Sequence, residues 1–458
     1  MKKNIILDTD SYKLSHYKQY PQGIEKVFSY IESRGGVFDS TLFFGLQKAL
    51  IELNQNFPTW QDFEEAKALT TEHGVPFNEQ GWKALIELGH FPLEIRAVQE
   101  GKVIPTQNVL VTVVNTDPRF FWLTSYLETS LLRAVWYPTT VATLSFECKK
   151  VINRYMQATC DNLEGLGFKL HDFGARGVSS EESACIGGAA HLVNFLGTDT
   201  LSAIRFARDY YDAGISGFSI PATEHSTITS WGKQHEKDAY RNVLEQFPDG
   251  LVACVSDSYD IFNAVSKLWG SELKEQVVER NGTLVIRPDS GDPEEILPIL
   301  LETLADKFGY TLNTKGYKVL SDKVRLIQGD GINLQSLCLI LEILTAKGWS
   351  TENIAFGMGG GLLQQLNRDT LKFAMKNSAA LINGEWQEVY KDPITDHGKR
   401  SKKGILDLQN GKTVRIQDAQ LFGEREHSDL QIVYRNGKLI NKMNFEAIRK
   451  NAASCLQN

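Results

Sequence analysis

Nowhere in this 458-residue chain do two cysteines form a C-x-x-C pair, so the thiolate pattern of a structural zinc site is missing. The six that exist, Cys148, Cys160, Cys185, Cys254, Cys338 and Cys455, are scattered, as buried thiols in a reducing compartment usually are. No apolar run approaches the roughly 20 residues a membrane span needs. The opening MKKNIILDTDSYK meets Asp8 and Asp10 before any run of signal-peptide length. Positive charge is not in excess: 49 Lys and Arg face 56 Asp and Glu, a formal charge of −7. Non-specific nucleic-acid binding needs a basic face, so that class is disfavoured; a small basic pocket for a phosphorylated metabolite is not. Low-complexity segments and internal repeats are absent as well. These absences predict a cytoplasmic protein without membrane or nucleic-acid partners.

What is present is an ordinary globular composition, 42 % hydrophobic and 23 % charged, on a chain long enough for more than one domain. The first third mixes elements. KVFSYIESR alternates like a strand, STLFFGLQKALIEL reads as a helix, and residues 92–117 read as strand, glycine turn, strand. The following segment is helix-rich, with a break expected near Pro138.

From about residue 168 the rhythm changes. FKLHDFGARG, GFSIPATEHS, LVACVSDSYD, TLVIRPDSGD, VRLIQGDGI and IAFGMGGGL are apolar runs that end in polar or glycine-rich loops. Amphipathic helical stretches separate most of them, at spacings of roughly 30 to 40 residues, which is the pattern of βα units on a parallel sheet. A doubly wound sheet is one solution. An irregular (β/α) barrel is favoured because every unit contributes a polar group to the loops, which a barrel gathers on one face. After residue 380 short strands surround a basic loop. The expected organisation is α/β: residues 1–150 in a mixed lobe, 151–380 in the barrel with the active site, and 381–458 completing the lobe.

The loops carry the candidate chemistry. FGMGGGLLQQL places glycines between strand and helix, as a phosphate cradle or as a tight turn; it lacks the Gly-Lys-Ser/Thr ending of a Walker A loop. IQGDGI repeats the theme, and two such loops together favour phosphate. Arg287 and Asp289 in IRPDSGDP suit a phosphate and a ribose diol or metal ion. Asp257 in VSDSYD is either a site residue or part of a helix cap, and Asp199 in GTDT reads locally as a cap. Phe173 is either a stacking platform or core. SIPATEHSTITSWGKQHEKD holds His225 and His235, ten residues apart. On a helix from Ser226 that is roughly 13 Å, too far for one metal, so His225 is expected on the active face and His235 on a solvated helix with Glu236, Lys237 and Asp238.

DTDSYKLSHYKQYP, KLHDFGARGVSS, HLVNFLGTDT, PATEHSTITSWG, SDSYDI, IRPDSGDP, IQGDGI, AFGMGGGLLQQLNRD and KDPITDHGKRSKKG, in this order, resemble the nicotinamide phosphoribosyltransferases, a type II phosphoribosyltransferase family. The resemblance covers nearly the whole chain. It implies a homodimer that joins nicotinamide to phosphoribosyl pyrophosphate with Mg²⁺, coupled to ATP through a phosphorylated histidine at the position of His225. It implies stacking of the pyridine ring on Phe173 and on Tyr12 of the other subunit. Asp199 would face the carboxamide, with Arg176 beside it and Ser219 and Ala222 on the tunnel wall. Arg287 and Asp289 fall at the ribose and pyrophosphate, and Gly329, Asp330, Gly359 and Gly360 at the 5-phosphate. Arg34, Arg368 and Lys376 fall among the basic residues around the phosphates, partly from the partner, and Asp257 beside the histidine. The segment after Arg34 is shorter than in the animal enzymes, and the glycine loop reads G-M-G-G-G rather than G-S-G-G-G. Two other readings are a nicotinate phosphoribosyltransferase and a non-catalytic metabolite-binding protein on the same fold.

Overall fold

The computed structural model describes residues 3–395 and 400–456. Residues 396–399, inside the KDPITDHGKRSKKG motif, lie outside the described residues. The chain forms two compact units: Met1–Thr143 with Asp209–Ala213 and Asn367–Asn458, and Leu144–Arg208 with Gly214–Leu366.

The first unit is built on a seven-stranded antiparallel sheet, in the spatial order Glu385–Glu388, Phe373–Ile382, Ile24–Ser33, Val109–Asn115, Leu93–Val98, Leu430–Arg435, Lys438–Leu439. Phe28, Tyr30, Ile95, Val111 and Val113 of this sheet are fully buried, in one hydrophobic core with residues of helices Leu46–Gln55, Trp60–His73 and Glu79–Leu88. The boundaries expected at 150 and 380 move to 143 and 366. Strand Phe373–Ile382 was expected in the barrel, but it pairs antiparallel with Ile24–Ser33, so its hydrogen bonds tie it to the first unit. Residues 209–213 join the same unit because Tyr211 stacks on Phe44 at 5.2 Å. Helix STLFFGLQKALIEL is shorter than expected: Ser40–Leu42 is a strand and the helix begins at Leu46.

Pro138 does not break its helix, which runs from Glu128 to Thr159. The ring packs against Gly45, where a Cβ would lie 2.3 Å from it. The Thr139 hydroxyl donates to Phe44 O at 3.1 Å and accepts from Phe44 N–H at 3.3 Å. These contacts lie beside the position where proline removes a backbone donor, and the helix is continuous through it.

The second unit is the barrel. Six parallel strands lie in the order Gly197–Thr198, Leu170–Asp172, Ile354–Met358, Val324–Gln328, Asn281–Arg287, Asp249–Val255. Segment 218–223 bonds to both sheet edges. Phe218 N–H donates to Leu196 O at 2.7 Å, and Ala253 N–H donates to Pro221 O at 2.9 Å. The sheet thereby closes on itself. Ala253, Val285 and Ile327 project inward with Ile220, Ala355 and Phe173. Ala253 and Ala355 are small for a barrel interior, and a cavity remains beside these side chains. No helix among the described residues is long and apolar enough to cross a membrane.

Candidate active site

A cavity of about 680 Å³ opens at the strand C-termini. Its lining includes Phe173, Arg176, Asp199, Ala222, Arg287, Asp289, Gly329, Asp330, Gly359 and Gly360, all named from the sequence, and also Ala175, Gly177, Thr223 and Glu224, which were not. A second cavity of about 380 Å³ shares Phe173, Asp199, Ala222 and Arg287 with it and adds Ser219. It reaches the strand N-termini at Lys169, Arg325 and Glu352, so the barrel is open along its axis. Lys169 Nζ is buried there and donates to the carbonyls of Thr351, Glu352 and Ile354, each at 3.0 Å. Burial pushes this ammonium down to about 8.

Phe173 leaves strand Leu170–Asp172 and turns back over the barrel mouth. Its N–H donates to Met358 O at 3.0 Å. The ring lies against two glycines. A Cβ at Gly357 would stand 1.9 Å from the ring, and one at Gly329 would stand 3.2 Å from it. Gly357 is therefore demanded by Phe173. Gly360 differs: an added Cβ there would meet nothing, so protein packing does not require glycine at that point. Bare backbone beside open space is what a phosphate cradle offers. The helix after this loop is only Gly360–Leu363.

Asp199 stands across the slot. Its Oδ1 accepts from the Ser219 hydroxyl. His171 lies close, and burial holds its imidazole below the ordinary range, against the pull of Asp199. Arg287 Nε is buried without a hydrogen-bond acceptor, and its nearest carboxylate oxygen is Asp289 Oδ1 at 3.7 Å. This cation can still accept an anionic ligand.

His225 is the first residue of helix His225–Thr229. Its Nε2 lies 2.9 Å from Asp257 Oδ1, and its Nδ1 lies 4.0 Å from Asp289 Oδ2. Asp257 Oδ2 accepts the Asp289 N–H at 3.1 Å and the Ser290 hydroxyl. That use of Asp257 decides between the cap and site readings in favour of a histidine partner. His235 pairs with Asp238 at 3.0 Å, away from His225. Glu236, expected in solvent, is buried and accepts from Tyr240 Oη at 2.9 Å. Ser290, Gly357, Thr223 and Glu224 were not singled out from sequence. Ser290 sits in the DSGD run whose aspartate was, and that adjacency was the available signal.

Tyr12, Arg34, Arg368 and Lys376 lie in the other unit. Tyr12 is 58 % exposed. Arg34 donates to Arg400 O at 2.5 Å and stands 3.6 Å from Glu32. Burial holds the Lys376 ammonium below its ordinary value; Glu128 opposes this, and Lys391, Arg34 and Lys13 reinforce it. Lys13 itself pairs with Glu128 at 2.6 Å. Arg368 pairs with Asp369 at 3.4 Å.

A closed barrel with glycine loops, an arginine and aspartates at one mouth is the arrangement of a phosphoribosyl-transferring enzyme. The chain belongs to the nicotinate phosphoribosyltransferase family, whose model matches residues 168–437. Residues 4–95 match the N-terminal domain of nicotinamide phosphoribosyltransferase. The nicotinamide phosphoribosyltransferase of Xanthomonas campestris pv. campestris is 54 % identical over 98 % of both chains. That of Acinetobacter baylyi is 35 % identical over 98 % of this chain and 97 % of its own. Two solved structures share the fold at low identity. The Pyrococcus furiosus nicotinate-nucleotide pyrophosphorylase has a TM-score of 0.61 at 13 % identity, covering 99 % of this chain and 96 % of its own. Human nicotinic acid phosphoribosyltransferase has a TM-score of 0.60 at 15 % identity, covering 98 % and 93 %.

Proposed function

We propose that this phosphoribosyltransferase acts on nicotinamide, giving nicotinamide mononucleotide and pyrophosphate for NAD salvage. The observation that carries the reading is the slot between Phe173 and Asp199, opening beside Arg287, Asp289 and the two glycine loops. The pyridine nitrogen uses its lone pair to form the bond to the anomeric carbon. The bond from that carbon to pyrophosphate breaks, and pyrophosphate leaves with the electrons. Positive charge grows on the sugar and negative charge on the leaving group, so positioning and electrostatics carry most of the catalysis. Phe173 offers a face to the ring. Asp199 accepts a carboxamide N–H and would repel a second carboxylate, which favours the amide over nicotinate. Arg287 draws charge from the leaving group, and backbone at Gly329, Asp330, Gly359 and Gly360 holds the 5-phosphate.

No group of three or more His, Cys, Asp or Glu among the described residues could hold a metal ion. Mg²⁺ commonly binds through one or two carboxylates plus substrate phosphates, and Asp289 and Asp330 on the cavity wall fit that mode. Bound there, it would neutralise charge on pyrophosphate.

ATP coupling belongs to the same proposal. His225 engages Asp257 through Nε2, which fixes the proton on that nitrogen and leaves the Nδ1 lone pair free. Nδ1 takes the γ-phosphoryl group: a P–N bond forms, the P–O bond to ADP breaks, and ADP departs. Tyr12 and Arg34 are assigned to the partner's site in a homodimer. Pyrophosphate release and mononucleotide formation, measured with nicotinamide and nicotinate side by side, test the reading. Turnover of nicotinate at equal or better kcat/KM would reverse the substrate assignment, and no turnover of either would favour a non-catalytic binding role.

A further inference from the structure

Asp172 is an acidic residue bonded to both the Phe173 turn and the Asp199 segment, and the proposed chemistry does not use it. Its side chain is fully buried at the end of strand Leu170–Asp172, and none of the groups that hold it is a cation. Its Oδ1 accepts the Gly174 N–H at 2.7 Å, which closes the turn that aims Phe173. Its Oδ2 accepts from the Thr198 hydroxyl at 3.4 Å. That hydroxyl in turn accepts the Thr200 N–H at 3.0 Å, so Asp199 sits between two residues tied to one carboxylate. The Asp172 carbonyl takes the Asp199 N–H at 3.0 Å. Helix Glu181–Leu192 closes over the group at Gly188, where a Cβ would lie 3.0 Å from Oδ2. Burial raises the carboxyl above its ordinary range, and only neutral donors oppose this. A carboxylate buried without a cation is costly in a fold, and here its two oxygens reach the two walls of one slot.

We infer that Asp172 is a positioning residue that sets the spacing between Phe173 and Asp199, and so the fit of the flat base. The inference rests on the slot proposed above. It predicts an effect confined to the base, because Arg287 and the phosphate loops hang on other strands.

The test is steady-state kinetics on the full-length enzyme, with KM for nicotinamide and for phosphoribosyl pyrophosphate measured separately. Asp172→Ala should raise the nicotinamide KM about tenfold or more, the loss of one well-placed hydrogen bond, and leave the other KM within about twofold. Asp172→Asn keeps an acceptor for Gly174 and a polar contact to Thr198, and should recover most of the loss. Combined with Phe173→Ala or Asp199→Asn, Asp172→Ala should cost less than it does alone, since it acts through both. Equal rises in both KM values, full additivity in both pairs, or an Asn variant as impaired as the Ala variant would overturn the inference. Should Asp172→Ala fail to fold, Thr198→Val decides. A nicotinamide KM raised about threefold by loss of the weaker bond supports the inference, and an unchanged one overturns it. If Phe173→Ala and Asp199→Asn themselves leave the nicotinamide KM unchanged, the slot reading falls and takes this inference with it. If they raise it and the Asp172 variants do not, this inference alone falls.

Discussion

Asp257 holds His225 at 2.9 Å while 3 % of its own side chain is exposed, against 45 % for the histidine. The carboxylate is fixed by Asp289 N–H and Ser290, so one imidazole nitrogen is committed, while the other lies 4.0 Å from Asp289 Oδ2. A surface ion pair would leave both groups mobile. Here the buried partner orients the exposed one, which is how reactive imidazoles are set.

His225→Ala should abolish ATP stimulation and leave basal phosphoribosyl transfer, because no step at the anomeric carbon uses this side chain. Acid-labile phosphate incorporation from labelled ATP is the direct measurement. Incorporation at the wild-type level in the variant would remove His225 from the role and turn attention to His235.

Asp199→Asn keeps shape and one acceptor but loses the charge. Charge-assisted hydrogen bonds contribute about 1.5–3 kcal/mol, so kcat/KM for nicotinamide should fall about tenfold or more. Exclusion of nicotinate should relax at the same time. An unchanged ratio of the two kcat/KM values would return Asp199 to a local structural part.

Gly357→Ala puts a Cβ where the Phe173 ring now lies, 1.9 Å from its edge. The ring must move. Aromatic stacking contributes about 0.5–1.5 kcal/mol, so nicotinamide KM should rise by up to about tenfold, with KM for the phosphoribosyl donor little changed. Gly360→Ala meets no protein atom and should instead raise the donor's KM. The opposite pattern in the two variants would show that the slot and the phosphate loop are wrongly assigned.

His191 is fully buried, bonded to Ser145 at 3.0 Å and to Leu170 O at 3.2 Å, and burial holds it down to about 3. The unfolded chain binds a proton near the ordinary histidine value and the folded one does not. Stability is therefore intact above about pH 6.5 and falls with acidification by about 1.4 kcal/mol per pH unit from this group. His171, lowered for the same reason, adds in the same direction. Urea midpoints at pH 7 and pH 5 should separate more for wild type than for His191→Gln. Equal separations would show that His191 does not set the acid response.

Mixing an inactive Tyr12→Ala chain with an inactive Asp289→Ala chain should restore part of the activity. Restoration requires that one subunit completes the other's site. Its failure despite verified subunit exchange would place Tyr12 outside any shared site.

The parallel strands were legible because each apolar run ends in glycine or polar residues, and buried parallel strands must read that way. Strand Gly197–Thr198 was not legible: two residues carry no periodicity, and only pairing with His171 and Asp172 makes them a stave. Residues 373–380 fell inside the range 151–380 expected for the barrel, because no local signal shows which sheet a strand joins. The antiparallel partner of strand Phe373–Ile382, Ile24–Ser33, lies 340 or more residues away in the chain. The glycine loops, Arg287, Asp289 and His225 were visible because polar groups at strand ends are sparse and chemically distinct. Asp172 was visible in the same way, but its role was not, and Gly357 was not visible at all, because both depend on a ring and a turn brought together in the fold.

The sequence by itself determined most of the βα rhythm, the barrel, and which polar groups and glycines stand at the strand ends, since those follow from side-chain chemistry and short-range pattern. Tertiary structure alone decided the rest. It closed the sheet through 218–223, assigned Asp257 to His225 rather than to a cap, and placed Asp172 beneath both walls of the slot. Each of these is a contact between segments distant in the chain, and such contacts are set by packing and hydrogen-bond satisfaction over the whole fold.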